Sequence, residues 1–378
     1  MVNNDSSSSN ISLALWVGGA RPRTLPLGLA PVLIGAAASW RWGALGGMRP
    51  CPASAGRMVE KWDGASADTL THCAFSWPWF AVAVVLCIVV AVGLQIAVNY
   101  LNDYADGVRG TDVGRDGEVT GPRRLVASGA NPRQVLLAAG IAAMIACAAG
   151  LAVIGITGRW WMIALGAVCL LAAWGYTNGR HPYGYRGLGE LAAFIFFGLV
   201  PALGTQYVLS GSITVTGAAG SVICGLLSVG VMMVNNLRDL NDDAAHGKRT
   251  LMVRVGEETG KCWHARVMRW AEVLTVIFAM PVPVYVALLG WLVAVPAQVD
   301  AERACVEYGV DCGGGMWGVA GWAGLAAVIC IACCIVLTSR AIAAVRRDQW
   351  RQALPLCSMT ALVVACAFVL NAWQASFI

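Results

Sequence analysis

Charge is scarce in this chain. Asp, Glu, Lys and Arg make up only 12% of its 378 residues, about half the share of an ordinary soluble protein. A water-facing globular surface of this size is therefore excluded. There are only four histidines, and no Cys/His spacing has the pattern of a zinc site. Basic residues nowhere interleave with aromatics, so the net charge of +5 is not a nucleic-acid footprint, and no nucleic-acid partner is expected. Strict apolar–polar alternation is missing, which excludes the strands of a transmembrane barrel. The polar, Ser-rich opening residues lack the basic start and apolar core of a secretory signal.

Long apolar runs fill the rest. Nine stretches are each long enough to cross a bilayer as a helix: about 24–40, 79–101, 134–156, 159–176, 188–209, 213–235, 269–291, 316–337 and 353–375. The expectation is one all-α integral membrane domain over 21–378, after a disordered tail over 1–20. With the N-terminus taken as cytoplasmic, twenty Lys and Arg fall on the inner side and six on the outer. That bias places a multi-pass protein in the cell membrane with its C-terminus outside. Nine of the 14 cysteines lie in apolar spans and Cys262 in an inner loop. Cys51, Cys73, Cys305 and Cys312 fall in the two long outer loops, 41–78 and 292–315, where an oxidising exterior permits disulfides; unpaired thiols are the equal alternative.

Two acid-rich segments stand where spans end. The first runs Asn99-Tyr-Leu-Asn102-Asp103-Tyr-Ala-Asp106 and on through Arg109 to Asp112; the second runs Asn235-Asn236-Leu-Arg238-Asp239 to Asp243. Asn99, Asn102, Asp103 and Asp106 fall at i, i+3, i+4 and i+7, one stripe on one helix face. Asn235 or Asn236, Asp239 and Asp243 form a similar stripe. Carboxylates at a span mouth are costly to keep and point to function. Their oxygens suit Mg²⁺, which takes one or two carboxylates and leaves room for phosphate. Arg109, Arg115, Arg123, Arg124, Lys248 and Arg249 lie on the same side and match a diphosphate. A diphosphate in a membrane cavity suggests an isoprenoid tail. Tyr100, Tyr104, Trp174 and Tyr176 stand near enough in sequence to hold an allylic cation by cation–π contact.

These residues resemble a known family, the UbiA-type intramembrane prenyltransferases. Within it they are most similar to the 1,4-dihydroxy-2-naphthoate polyprenyltransferases of menaquinone synthesis. Five stretches carry the resemblance: Arg21-Pro-Arg-Thr-Leu-Pro with Ala30-Pro-Val-Leu-Ile-Gly35; Asn102 to Asp112; Tyr176-Thr-Asn-Gly with Gly187-Leu-Gly-Glu190 and Phe196-Phe-Gly-Leu; Asn235 to Asp239 with Asp243; and Gly247-Lys-Arg-Thr-Leu-Met-Val-Arg-Val-Gly256. The resemblance implies nine helices around a central cavity. It implies Mg²⁺-dependent transfer of a polyprenyl group from its diphosphate to the naphthoate, with loss of CO₂ and pyrophosphate, giving demethylmenaquinone. Mn²⁺ is expected to substitute. By the same resemblance Asn102, Asp106 and Asp112 belong to one metal site, and Asn235 or Asn236, Asp239 and Asp243 to another. Asp106, Asp239, Arg124 and Lys248 are the residues it implies for catalysis. Arg109, Arg123, Arg124, Lys248 and Arg249 are placed on the diphosphate side, with Tyr176 and Arg180 at the mouth where the aromatic acceptor enters. Asn178 departs from the family pattern, as do the two long outer loops.

Several alternatives stay open on the sequence. Asp103 or Asp242 can serve as ligands one register over. Tyr176 can be an interfacial anchor, and Glu190 a helix cap. His181 and His246 read as loop residues. A different aromatic acceptor, or a cation-coupled transporter, is the competing function.

Overall fold

A computed structural model describes residues 12–45, 77–110, 124–179, 182–281, 284 and 314–374. Among them there is no strand. Most of the two long loops, and with them Cys51, Cys73, Cys305 and Cys312, lies outside the described residues, while 41–45, 77–78 and 314–315 belong to helices. The ten cysteines that are described are free thiols.

The helices are α1 (Leu13–Gly19), α2 (Pro26–Leu45), α3 (Trp77–Arg109), α4 (Pro132–Thr157), α5 (Met162–Thr177), α6 (Gly189–Phe194), α7 (Val200–Ser210), α8 (Val215–Arg238), α9 (Leu240–Ala245), α10 (Leu251–Val255), α11 (Glu257–Ala279), α12 (Gly314–Arg346) and α13 (Trp350–Gln374). Six described stretches are long and apolar enough to span a membrane: Pro78–Arg109, Pro132–Thr157, Gly189–Ser210, Val215–Arg238, Trp322–Arg346 and Trp350–Gln374. Pro26–Trp40 and Met162–Thr177 are shorter apolar helices. The remaining expected span, 269–291, falls on α11, whose first half carries Glu257, Glu258, Lys261, Arg266 and Arg269. That helix begins well before the apolar run does. Likewise α3 continues to Arg109, past the end of its own apolar run. Backbone hydrogen bonding, not hydropathy, decides where a helix stops, so these helices run on through polar residues beyond their apolar runs.

Residues 13–19, expected within a disordered tail, form α1 instead. Trp16 packs edge-on against Tyr100, with ring centroids 6.1 Å apart, and the Tyr100 hydroxyl donates to the Trp16 carbonyl at 2.9 Å. A helix this short is not stable alone; contact with α3 holds it in place.

Local chemistry sets the entries and exits. Asn131 caps α4 by accepting from the Arg133 amide at 3.0 Å, with Pro132 in the first turn. Thr214 caps α8 by accepting from the Gly217 amide at 3.1 Å. Between α6 and α7 the chain widens into a π turn, Ile195–Leu199. That turn places both Phe196 and Phe197 on a cavity wall, the kind of use to which π turns are often put.

The main core joins α2, α8, α11, α12 and α13 through small and branched residues such as Ala30, Ile34, Ile223, Ala271, Ala341, Ala361 and Phe368. At one end of the bundle, Lys261 on α11 reaches Asp348, between α12 and α13, at 2.8 Å, and Glu257 at 2.7 Å. The same end holds the start of α2, the end of α3, the end of α5, the start of α6 and the end of α8. The polar chemistry of both acidic segments gathers there.

Candidate active site

A cavity of about 280 Å³ opens at that end. Its deep wall is apolar, from Val32, Cys87, Val90, Val153, Met162 and Val208. Its mouth is polar: Arg21, Thr24, Gln95, Asn99, Asn102, Tyr176 and Asn235. One face of α5 (Met162, Leu165, Gly166, Cys169, Ala173 and Tyr176) forms a side wall, as the i, i+3, i+4, i+7 spacing allows.

Asp106 sits beside this mouth and is buried. Its Oδ1 accepts from the Tyr185 hydroxyl at 2.5 Å and lies 2.9 Å from Lys248 Nζ. Its Oδ2 lies 3.9 Å from Arg124 Nη2. The same Lys248 ammonium stands 3.8 Å from Asp243 Oδ1. A carboxylate from each acidic segment is thus within ion-pair reach of one buried lysine. The expectation that the two segments meet at one end of the bundle holds in this geometry.

Lys248 arrives there by a turn. The Gly247 backbone takes φ +74°, a left-handed conformation that a side chain resists. It ends α9, and the Lys248 amide then donates to the Asp243 carbonyl at 2.8 Å. The second acidic stripe is not one straight helix. α8 ends at Arg238 and α9 starts at Leu240, with Asp239 at the junction. Bonds from the Asp239 amide to the Asn235 carbonyl (3.0 Å) and from the Asp243 amide to the Asp239 carbonyl (2.8 Å) carry the stripe across the break. The Asp239 carboxylate is gripped in bidentate fashion by its neighbour Arg238, both bonds at 2.7 Å.

The carboxamides separate into roles. Asn235 and Asn102 line the cavity, and Asn102 Oδ1 is buried without a partner. Asn236 faces the other way and donates to Glu190 Oε1 at 2.8 Å. Of the two open choices, Asn235 is the one in the cavity wall. Glu190, in the first turn of α6, thus also holds Asn236.

Asp103 and Asp242, the alternatives one register over, are placed differently from Asp106 and Asp243. Asp103 accepts from the amides of Leu125 at 2.8 Å and Val126 at 3.1 Å. It clamps the turn that presents Arg124. Gly107 makes this possible, because a Cβ there would collide with the Val126 side chain. Asp242 is exposed on α9. Arg109 also departs from its expected diphosphate role. Its guanidinium donates to the carbonyls of Thr177 and Gly179, closing the end of α5, and it stands 5.2 Å from the Tyr185 ring centroid. The Arg249 side chain is exposed, while its amide donates to the Tyr185 carbonyl at 2.9 Å. Of the four aromatics expected near the cation, only Tyr176 lines the cavity. Tyr100 and Tyr104 pack around Leu125, and Trp174 is exposed. Asp112, Arg115, Arg123, Arg180 and His181 lie outside the described residues.

Two residues had no role assigned from sequence. Arg21 is half-buried and opens onto the cavity. Burial first, then the neighbouring Arg124 and Arg238 guanidiniums, push its pKa down to about 10. Three arginines this close, one of them in a left-handed backbone conformation with φ 55°, make a pocket that favours an anion. Tyr185 is the other. Burial and Asp106 push its phenol up, so it remains a hydrogen-bond donor at neutral pH. It sits in a short 3-10 turn, Tyr183–Arg186, where no periodic pattern marks it. Arg21 at least opens the Arg-Pro-Arg-Thr stretch that carries part of the family resemblance.

The donors fit Mg²⁺. Among the described residues no three Asp, Glu, His or Cys side chains converge as a metal cage. Mg²⁺ does not need one, since it takes a carboxylate or two and completes its shell with water and phosphate. The buried, partnerless Asn102 Oδ1 is a hard oxygen of the kind Mg²⁺ takes.

Residues 70–301 match the UbiA prenyltransferase family. The 1,4-dihydroxy-2-naphthoate octaprenyltransferase of Mycobacterium tuberculosis is 41% identical over 292 residues, covering 77% of this chain and 85% of that protein. The enzyme of the same name from Escherichia coli is 30% identical over 295 residues, covering 76% of this chain and 83% of that one. In fold, a UbiA homolog from Aeropyrum pernix superposes with a TM-score of 0.56 at 14% identity, covering 91% of this chain and 96% of the other. That last likeness is one of architecture.

Proposed function

The chain belongs to the UbiA prenyltransferase family, and from that premise we propose how it works as a multi-pass membrane enzyme. It is an aromatic prenyltransferase of menaquinone biosynthesis. It moves a polyprenyl group from polyprenyl diphosphate to 1,4-dihydroxy-2-naphthoate, with loss of CO₂ and pyrophosphate, and gives the quinol form of demethylmenaquinone. The observation that carries the reading is Lys248, set between Asp106 and Asp243 beside an apolar cavity.

Arg21, Arg124 and Lys248 bind the diphosphate at the polar mouth, where an anion relieves the crowding of positive charge. Asn102, Asp106, Asn235, Asp239 and Asp243 would hold Mg²⁺. When bound, the metal supplies positive charge to the departing diphosphate oxygens. The prenyl tail lies along the apolar wall from Val98 to Cys87, where it meets surfaces as apolar as itself. When the carbon–oxygen bond to diphosphate breaks, its electron pair leaves on phosphate. The apolar wall then keeps water from the allylic cation. The Tyr176 ring, in the wall near the mouth, offers that cation a π face. A carbon of the electron-rich naphthoate ring attacks the cation. The carboxylate departs as CO₂, returning its bonding pair to the ring, so the 1,4-dihydroxy ring is restored as the quinol and the transfer itself needs no oxidant.

The charge bias along the sequence supports a cell-membrane location with the site facing the cytoplasm. Nothing favours a transporter: the carboxylates gather at helix ends beside arginines, not midway along a path. The direct test uses membranes holding the protein, Mg²⁺ and labelled prenyl diphosphate, with 1,4-dihydroxy-2-naphthoate set against 4-hydroxybenzoate. Labelled product with the naphthoate and none with the benzoate supports the reading. The reverse pattern assigns another acceptor.

A further inference from the structure

Tyr185 occupies an unusual position. It belongs to neither acidic segment, yet it contacts the end of the first and the lysine that follows the second. Its hydroxyl donates to Asp106 Oδ1 at 2.5 Å. Lys248 Nζ stands 4.7 Å from the centre of its ring. Arg109, three residues past Asp106, stands 5.2 Å from the same ring. Its carbonyl accepts from the Arg249 amide at 2.9 Å. Arg254 ties the turn further, donating to the Arg186 carbonyl at 2.7 Å and to the Arg249 carbonyl at 3.1 Å. The backbone of the Tyr185 turn and the backbone that carries Lys248 are therefore fastened together.

Lysine is a point charge on a flexible stem. Aiming it requires something beyond its attraction to Asp106, because that attraction alone draws it onto the carboxylate. An aromatic face within about 6 Å attracts the ammonium without neutralising it, and leaves its charge available to a ligand. We propose that Tyr185 is a positioning residue for the diphosphate site: its ring holds the Lys248 ammonium where an incoming diphosphate meets it. The inference rests on the reading of this mouth as a diphosphate site. Tyr185 acts through Lys248, and need not touch the substrate itself.

The test is calorimetric binding of inorganic pyrophosphate, with Mg²⁺ present, to the purified full-length protein in nanodiscs. Wild type, Tyr185→Phe, Tyr185→Leu, Lys248→Ala and the Tyr185→Leu/Lys248→Ala double variant are compared. Phe keeps the ring and should bind within about threefold of wild type; Leu removes it and should bind about tenfold more weakly, as expected for a partly desolvated cation–π contact. In the Lys248→Ala background, Tyr185→Leu should cost nothing further, since the residue it positions is gone. Wild-type affinity in Tyr185→Leu, or an equal additional loss in the double variant, overturns the proposal. Should Tyr185→Leu lack a cooperative thermal transition, mono- and trifluorinated phenylalanine at position 185 decide instead. Affinity falling stepwise with fluorination supports the π contact, and a flat series overturns it. If wild type binds no Mg²⁺-pyrophosphate, the diphosphate reading itself fails, a result distinct from any of these.

Discussion

Lys248 and Asp106 stand 142 positions apart in the chain and 2.9 Å apart in space, both buried. That single ion pair closes the loop between the end of α3 and the turn after α9. The ammonium and the carboxylate satisfy one another until a substrate competes for them. A buried charge stripped of its partner is costly, so neither can be removed without consequence to the other.

The first prediction follows from that pair. Asp106→Asn keeps the shape of the side chain and removes its charge. Prenyl transfer should fall at least about a hundredfold, in the range seen when a group stabilising developing charge is lost. The protein should still insert and purify. Radiolabelled product formation by the purified variant measures it, and activity equal to wild type removes Asp106 from the mechanism.

Asp103 gives the second. Its carboxylate is the acceptor for the amides of Leu125 and Val126. Asp103→Ala leaves both without a partner, at about 1–3 kcal/mol for each. The cost should appear locally, as faster hydrogen exchange over residues 124–130. Arg124 loses its setting, and the KM for prenyl diphosphate should rise about tenfold, as for a displaced charged contact, while the KM for the naphthoate stays put. Unchanged exchange in that turn would remove the assignment.

Metal dependence is the third. Asn102 Oδ1 is buried and unpartnered, and it shares its end of the bundle with carboxylates from two segments. Excess EDTA should abolish turnover. Mg²⁺ should restore it, and so should Mn²⁺, which accepts the same hard oxygen ligands. Undiminished turnover in EDTA ends the metal reading.

How far the sequence reached can be judged from particular residues. Asn102, Asp106 and Asp243 were legible because helical spacing puts them on stripes, and a charged stripe at the mouth of an apolar run is too costly to keep for structure alone. Their convergence was not legible from spacing, since it depends on how α3 packs relative to α8. Asp103 shows the limit of a stripe: it shares a face with Asp106, yet local backbone amides claim it. Asn235 and Asn236 differ by one residue, about 100° of helix rotation. Only packing against Glu190 told them apart. Tyr185 left no trace because a four-residue turn has no period to read. Helix ends went unseen wherever polar residues continued a helix, as in α3 and α11. Hydropathy measures contact with lipid, and helices obey backbone hydrogen bonds.

Arg21 supports the fourth prediction. Burial and two nearby guanidiniums weigh against its charge, holding its pKa near 10. Its backbone sits at φ 55°, a region where residues other than glycine are strained. Such a residue is kept for what it binds and not for what it stabilises. Arg21→Met removes the charge and keeps much of the stem. The substrate-free protein should then become more stable, by about 1 kcal/mol, as when a residue held for function is relieved. Pyrophosphate affinity should fall about tenfold at the same time, the loss of one charge-assisted contact. Thermal unfolding in detergent, with and without Mg²⁺-pyrophosphate, measures both effects on one sample. The midpoint without ligand should move up, and the rise that ligand adds should shrink. If both fall together, Arg21 is a structural anchor for the start of α2, and the anion pocket must be assigned to Arg124 and Lys248 alone.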